Sequence, residues 1–202
     1  MSPRTIVKRI AQGLFLGMAF PSAVLCGFGK FAQAYATFAH LYALVPGIVG
    51  DFLRAAFYRL TLRECSIDTV IAFGTFFSRR DACVSHNVCI GSYCVIGRAR
   101  IGARTQIASH VEIPSGRYQH NRDGAGRFLD SVDGEVVIGE DCWIGASAIV
   151  MADIGAGSTI GAGSVVVKEI PPGTVAVGNP ARPVRPVAAA CSEQEKGRGE
   201  MR

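Results

Sequence analysis

The chain has 202 residues and a formal net charge of +5, which predicts one domain with an appendage. No Asp or Glu precedes Asp51, and aromatic and basic residues are not interleaved; this pattern favours an anionic membrane surface and argues against nucleic-acid binding. Seven cysteines at scattered spacings, with no CxxC pair, argue against a disulfide framework and indicate reduced thiols in a cytosolic compartment.

Residues 10–49 are strongly apolar and divide into two segments, residues 10–28 and residues 31–49. Each segment is near the length that spans a hydrocarbon core, although Pro21 interrupts the first. Three interpretations are open. The segments form a hairpin that spans the bilayer or dips into one leaflet, or a pair of interfacial helices, or a cleaved secretory signal.

The charge ahead of these segments predicts their side of the membrane. Lys8 and Arg9 precede the first segment, which places the N-terminus on the cytoplasmic side. Two crossings, or none, return the chain to the same side. We therefore expect residues 1–65 to form a membrane-associating helical segment, in which residues 1–62 contact the lipid surface at the cytoplasmic face.

Residues 48–62 predict an amphipathic helix, because Phe52, Leu53, Phe57 and Leu60 recur at helical spacing. Such a helix lies in the headgroup plane or packs as a lid on the domain that follows. The sequence leaves both possibilities open.

A weak six-residue pattern over residues 66–83 indicates the entry coil of that domain. Phe73, Phe76 and Phe77 are large for such a pattern. We expect these three rings to cap the coil against the preceding helices.

From Val84 to Val166 a six-residue period dominates the chain. The aliphatic positions are Val84, Ile90, Ile96, Ile101, Ile107, Ile113, Ile138, Ile144, Val150, Ile154, Ile160 and Val166. Small residues follow four places later at Val88, Cys94, Thr105, Val111, Cys142, Ala148, Ser158 and Ser164. A hexapeptide period predicts a β-helix, in which each repeat is one short strand and a turn and three repeats close one coil. The fold class is therefore mainly β, with a parallel β-helix over residues 66–187.

The period is shortened after Ile96 and after Val150, and it vanishes over residues 114–136. This last stretch is polar and Gly-rich and contains His120. Because the period then resumes in phase, the stretch is predicted to be a loop extruded from the coil, and long ordered loops on rigid scaffolds usually carry function. Residues 188–202 are polar and are expected to be disordered.

The block from Ile138 to Arg185, and above all its ending IGAGSVVVKEIPPGTVAVGNPAR, resembles the hexapeptide-repeat acyltransferases, whose members include galactoside, maltose and xenobiotic acetyltransferases. The similarity covers about residues 84–187, and the His after SGRYQ resembles the loop-borne catalytic His of that family. The resemblance implies a left-handed β-helix, a homotrimer, and acetyl-CoA as cosubstrate. It places acyl donor and acceptor in clefts between adjacent subunits. The apolar N-terminus is similar to that of membrane-associated members that modify glycans or lipid-linked intermediates.

The same resemblance implies a set of coenzyme A residues. They are Trp143, Ala146, Ala162, Val167, Lys168, Arg182 and Arg185. The first two match positions that line the pantetheine tunnel, the next two match backbone contacts to the pantetheine amides, and the cations match positions at the nucleotide end and its phosphates. Between Ile149 and Ile154 the chain is two residues shorter than the soluble sugar acetyltransferases, and their N-terminal acceptor-binding residues have no match, so their substrates do not transfer.

Acyl transfer to a hydroxyl needs a base, and a neutral imidazole has a suitable pKa. His120 is expected to be this general base, with a backbone N–H holding the oxyanion. Its orienting carboxylate is left open among Glu112, Asp123, Asp130 and Asp133. His110 and His86 occupy turn positions that point outward, and they are interpreted as surface residues.

The sequence thus predicts a membrane-associated O-acyltransferase, an acetyltransferase, that acts on a saccharide or lipid-linked glycan hydroxyl. An acetyltransferase for a soluble antibiotic or amine, and a β-helix scaffold without activity, stay open as alternatives. A γ-class carbonic anhydrase would need three histidines converging on zinc. The spacing of His86, His110 and His120 is irregular, so no metal is expected.

Overall fold

The structure is a computed structural model that describes residues 3–115, 123–127 and 134–187. In this part of the chain the helices come first and short strands follow. The helices are α1 (Pro3–Leu25), α2 (Ala32–Ala43) and α3 (Gly47–Thr61). The strands are β1 (Glu64–Cys65), β2 (Val70–Ile71), β3 (Phe76–Phe77), β4 (Cys83–Val84), β5 (Cys89–Ile90), β6 (Val95–Ile96), β7 (Ala99–Ile101), β8 (Gln106–Ile107), β9 (Glu112–Ile113), β10 (Val136–Ile138), β11 (Trp143–Ile144), β12 (Ile149–Val150), β13 (Thr159–Ile160), β14 (Val165–Val166), β15 (Thr174–Val177) and β16 (Arg182–Pro186). The tail predicted to be disordered, residues 188–202, lies outside the described residues.

The strands form the three faces of a parallel β-helix. Sheet A contains β1, β4, β7 and β10, sheet B contains β2, β5, β8, β11, β13, β15 and β16, and sheet C contains β3, β6, β9, β12 and β14. From β1 to β12 consecutive strands lie on successive faces, and single bridges at Ile154 and Ile170 continue sheet A beyond β10. The chain therefore winds into coils that stack about 4.8 Å apart. The register places like on like: Ile90 pairs with Ile107, and Ile107 pairs with Ile144. The pairing is parallel throughout except for β16, which is antiparallel to β15. The predicted mainly-β, parallel β-helix is confirmed.

A column of aliphatic side chains fills the coil. Every aliphatic position of the repeat from Val84 to Val166 is at most 3% exposed. The small residues four places later are also buried, as the narrow interior requires. Cys94 and Cys142 are among them, and burial raises the pKa of both thiols above the ordinary value. Both cysteines therefore act as small apolar side chains, as predicted.

Three corners join the sheets. The first corner leads from sheet A to sheet B, the second from B to C, and the third from C back to A. Steps across the first two corners keep the six-residue period, whereas the step after Ile96 is five residues and the step after Val150 is four, and both cross the third corner. The loop of residues 114–136 leaves and returns at the same corner. All three irregularities noted in the sequence therefore fall on one edge of the prism.

Helix α3 closes the first coil. Its side chains Leu53, Phe57 and Tyr58 are buried, and the Tyr58 hydroxyl accepts a hydrogen bond from the backbone N–H of Phe77 at 3.1 Å. Of the two positions left open for this helix, the structure supports the lid. The coil begins at Glu64, where β1 pairs with β4, so the helical segment ends slightly before the predicted boundary at residue 65.

The three phenylalanines of the entry coil behave differently from one another. The ring of Phe77 lies 4.8 Å from that of Tyr58, and the ring of Phe76 lies 4.5 Å from that of His40. These two cap the coil against the helices, as predicted. Phe73 does not, because its ring packs along the second corner against a residue of the next coil.

Arg54 fastens the helices to the coil from inside. Its side chain is 0% exposed. Nε donates to the carbonyl of Ile71 at 2.7 Å, and Nη1 donates to the carbonyls of Tyr42 and Val45 at 2.9 and 2.8 Å. Nη2 donates to Oδ1 of Asp51 at 2.6 Å. One guanidinium thus joins the end of α2, the start of α3 and the first strand of sheet B.

Helix α1 packs on α3, with the ring of Phe15 stacked on that of Phe52 at 5.2 Å. Its N-terminal half also reaches the first corner, where Lys8 pairs with Asp68 at 3.0 Å and Gln12 donates to the carbonyl of Ile67 at 3.1 Å. Among the helices of the described residues, none is both long and apolar enough to cross a membrane.

Candidate functional site

The two small coenzyme residues lie on consecutive turns of the second corner. The carbonyl of Ala146 accepts a hydrogen bond at 2.8 Å from the N–H of Gly163, which follows Ala162. The turns can stack this closely because Gly145 has no side chain, since a Cβ there would lie 2.5 Å from the nitrogen of Ala162. Short side chains leave the backbone of this corner accessible, so a long, thin ligand can lie against it.

Trp143 and Arg185 share one row of sheet B beside this corner. Trp143 pairs with Thr159, Thr159 with Val175, and Val175 with Arg185. Three strand spacings, about 14 Å, therefore separate the two positions. Trp143 is 51% exposed, and Arg185 and its strand neighbour Arg182 are also exposed. Sheet B therefore carries an exposed aromatic residue on β11 and two exposed cationic residues on β16.

Val167 and Lys168 lie elsewhere, on the third corner after β14. Sheet C separates them from the second corner, and its outward residues at this level are the half-buried Ile149 and Val165. Within one chain, the structure therefore brings Ala146 and Ala162 together, while Lys168 lies on a different corner.

The predicted base, His120, lies outside the described residues, as do Asp130 and Asp133. The root of its loop is described. The chain leaves the third corner at Ser115 and re-enters at Gly134, whose N–H donates to the carbonyl of Ser115 at 2.9 Å. The two ends of the loop are therefore held together by the coil.

Two of the candidate orienting carboxylates are described. Asp123 is occupied by its own turn: Oδ1 accepts from the N–H groups of Arg127 and Ala125, both at 2.9 Å, and Oδ2 accepts from Nε of Arg127 at 3.0 Å. The backbone N–H of Arg127 holds the pKa of Asp123 below its usual range, and the other two hydrogen bonds act in the same direction. Glu112 is exposed on β9, next to the root of the loop. Of these two, Glu112 has the carboxylate available for other partners.

An aromatic stack on the second corner was missed from the sequence. The ring of His110 stacks on that of Tyr93 at 5.3 Å, and Tyr93 packs against Phe73 at 5.5 Å. Gly74 makes room for it, since a Cβ there would lie only 2.4 Å from the Tyr93 ring. His110 is exposed, as predicted. The sequence signal that could have predicted this contact is that Tyr93 and His110 occupy equivalent turn positions of successive coils. The structure confirms the equivalence, since both residues have a left-handed φ.

His86 is also exposed, on the first corner, so His86 and His110 occupy different edges of the chain. Within the described ranges, no group of three or more His, Cys, Asp and Glu side chains is arranged to hold a metal ion.

No protein-family model matches the chain. The bifunctional protein GlmU of Azotobacter vinelandii is 36% identical over 107 residues, which are 52% of this chain and 21% of that protein. A chloramphenicol acetyltransferase of Escherichia coli is 39% identical over 106 residues, 48% of this chain and 50% of that protein. Among solved structures, a maltose O-acetyltransferase from Clostridium difficile 630 has a TM-score of 0.63 at 25% identity, covering 79% of this chain and 87% of that one.

The matches thus span about a fifth of GlmU and half of the chloramphenicol acetyltransferase. Together with the β-helix, these matches support a relationship to the hexapeptide-repeat acetyltransferases. They also support the interpretation of the chain as an acyltransferase. The solved maltose O-acetyltransferase supports a parallel β-solenoid of the left-handed helix type.

Proposed function

We propose that the protein is an acetyl-CoA-dependent O-acetyltransferase that modifies a hydroxyl of a saccharide or lipid-linked glycan at the cytoplasmic face of a membrane. The observation that carries the proposal is the second corner, where Ala146 and Ala162 leave the backbone open beside the exposed ring of Trp143. The acetyltransferases among its relatives and the solved maltose O-acetyltransferase support the same reaction class.

The reaction needs one base and one oxyanion site. The acceptor oxygen attacks the thioester carbonyl carbon, and its proton passes to the neutral imidazole of His120. A backbone N–H stabilises the oxyanion of the tetrahedral intermediate. When the C–S bond breaks, the imidazolium returns the proton to the sulfur, so the products are an acetyl ester and free CoA.

A homotrimer would unite the separated coenzyme residues. Within one chain, sheet C lies between Ala162 and Lys168. With clefts between adjacent subunits, the third corner of one subunit faces the second corner of the next. Lys168 of one chain then lies near the nucleotide end of a coenzyme held by Ala146 and Ala162 of its neighbour. We therefore expect a trimeric mass in solution.

Removing the cations proposed for the nucleotide end should weaken coenzyme binding. We expect Lys168→Ala and Arg182→Ala each to raise the Kd for CoA about tenfold, which corresponds to about 1.4 kcal/mol. Isothermal titration calorimetry measures this directly. Arg63→Ala is the matched control, because Arg63 is exposed near the opposite end of the coil. Equal affinities for all three variants and the wild type would remove these residues from the coenzyme site.

The membrane part of the proposal is supported by the outer face of α1. Between residues 10 and 29, no exposed residue has a polar side chain, and Ile10 and Leu14 are 68% and 63% exposed. The helical part of this strip, residues 10–25, is about 24 Å long at 1.5 Å per residue. The exposed cations Arg9 and Lys30 lie at its two ends. An apolar strip bounded by cations suits a helix that lies in the plane of an anionic lipid surface.

Vesicle flotation tests this surface. The wild-type protein should float with vesicles of phosphatidylglycerol and phosphatidylcholine, and less with phosphatidylcholine alone. The double variant Ile10→Glu/Leu14→Glu should lose at least about tenfold in partitioning, since burying each aliphatic side chain contributes about 1.5–3 kcal/mol. Val137→Glu, at a partly exposed site on sheet A, should float like the wild type.

Two results would contradict membrane docking. One is a wild-type protein that stays with the soluble fraction at every lipid composition. The other is a double variant that floats unchanged. If the double variant instead dissociates a larger oligomer in the absence of lipid, the strip contacts another copy of the chain.

A further inference from the structure

A cavity of about 430 Å³ opens on the third corner, at the root of the long loop. Its lining includes Ser78, Arg79, Val95, Glu112, Pro114 and Ser115. This volume falls within the range of about 300–1,000 Å³ that is typical of small-molecule sites. The predicted base, His120, follows Ser115 by five residues in the sequence. We call this space the loop-root cavity.

Glu112 interrupts the apolar outer surface of sheet C. Its neighbours in register are Val95 on one side and Ile149 on the other. Further along the same ladder, Phe76 pairs with Val95 and Val165 with Ile149. Glu112 is thus the one carboxylate in a row of apolar residues, and within the described ranges no side chain or N–H donates to it. A charge at this position serves neither the coil interior nor an ion pair among these residues.

The lining combines an apolar surface with hydrogen-bonding groups. Val95 and Pro114 are apolar, whereas Glu112 provides exposed carboxylate oxygens. The hydroxyl of Ser78 donates to the carbonyl of Ile96 at 3.2 Å, and that of Ser115 accepts from the N–H of Arg98 at 2.9 Å. A sugar ring has the complementary character, with apolar C–H faces and an edge of hydroxyl donors. A carboxylate accepts such hydroxyl hydrogens as charge-assisted hydrogen bonds, which are shorter and stronger than neutral ones.

We propose that the loop-root cavity binds one sugar unit of the acceptor and that Glu112 accepts hydrogen bonds from its hydroxyls. This inference rests on the proposed acetyl transfer and names the place and chemical class of the acceptor. It assigns Glu112 to substrate binding and specificity, and it locates the acceptor beside the loop that carries the base.

Saturation-transfer NMR on the full chain tests the assignment, with methyl α-glucoside, methyl α-galactoside, methyl α-mannoside and N-acetylglucosamine as probes. At least one probe should receive saturation from the wild-type protein. Glu112→Gln should raise the Kd for that probe about tenfold, equivalent to about 1.4 kcal/mol of binding free energy. Val95→Trp, which fills the cavity, should abolish its signal. Glu64→Gln is the matched control, an exposed carboxylate on sheet A.

CoA calorimetry on the same samples separates the two ideas. If CoA binds every variant equally and only the sugar signal depends on Glu112 and Val95, the assignment stands. If CoA binds but no probe receives saturation from the wild type, or Glu112→Gln keeps the full signal, the assignment is wrong while the acetyl-CoA proposal survives. If CoA does not bind the wild type, the proposed function itself fails.

Discussion

Replacing His120 with Ala is expected to lower kcat about 10²–10⁴-fold, the usual contribution of a general base. The affinity for CoA should stay unchanged, because the imidazole acts on the acceptor hydroxyl and not on the coenzyme. The base must be neutral to accept a proton. Wild-type activity should therefore fall at acidic pH, where the imidazole becomes protonated. The residual activity of His120→Ala should not show this fall at acidic pH. Release of free CoA thiol from acetyl-CoA, measured across pH with an acceptor sugar, gives both quantities.

Two histidines of the described residues, His86 and His110, provide the comparison. His86→Ala should keep wild-type activity, since His86 is exposed on the first corner. His110→Ala is the informative rival, because its ring stacks on Tyr93 along the second corner. If kcat falls less than tenfold in His120→Ala, or falls further in His110→Ala than in His120→Ala, His120 is not the general base.

Arg54→Leu should destabilise the fold by about 3–5 kcal/mol, because a buried guanidinium that donates to three backbone carbonyls is lost. The substitution leaves the carbonyls of Ile71, Tyr42 and Val45 without their donor, and each unpaired buried polar group costs about 1–3 kcal/mol. At about 2–4 °C per kcal/mol for a domain of this size, the melting temperature should fall by 6–20 °C. Thermal unfolding followed by circular dichroism measures this loss.

Two further variants show whether geometry or charge is responsible. Arg54→Lys keeps the charge but loses the planar fork that reaches several acceptors, so its loss should be intermediate. Arg59→Ala lies on the exposed side of the same helix and should change stability by at most about 0.5 kcal/mol. If Arg54→Leu has the same melting temperature as Arg59→Ala, the buried guanidinium does not hold the helices to the coil.

The β-helix could be predicted from the sequence because its interior is one-dimensional. Each aliphatic residue stacks on the residue of the next coil, as Ile90 does on Ile107, so a local period determines a long-range contact. The helical segment has no such rule. The pattern of Phe52, Leu53 and Phe57 predicts an apolar face but not what covers it. The burial of Arg54 could not be predicted from that pattern, because its hydrogen-bond acceptors come from separate parts of the chain.

The candidate site was predictable to the same extent. Ala146 and Ala162 are sixteen residues apart, close to one coil, so their adjacency follows from the period. The position of Lys168 on the third corner also follows from it. The proposed approach of Lys168 to a coenzyme held by a neighbouring chain does not follow from the period, because it concerns a contact between two chains. The stack of Tyr93 on His110 was missed because hydrophobic periodicity describes inward positions, whereas this contact lies between outward turn residues.

Calorimetric titration of CoA into the purified protein is the decisive experiment for coenzyme A-dependent acetyl transfer. We expect saturable binding of one CoA per chain, with a Kd in the range of about 1 μM–1 mM common for enzyme substrates, and weaker binding to Lys168→Ala and Arg182→Ala. If the folded protein gives no saturable heat of binding, it does not use CoA and the proposed function is wrong.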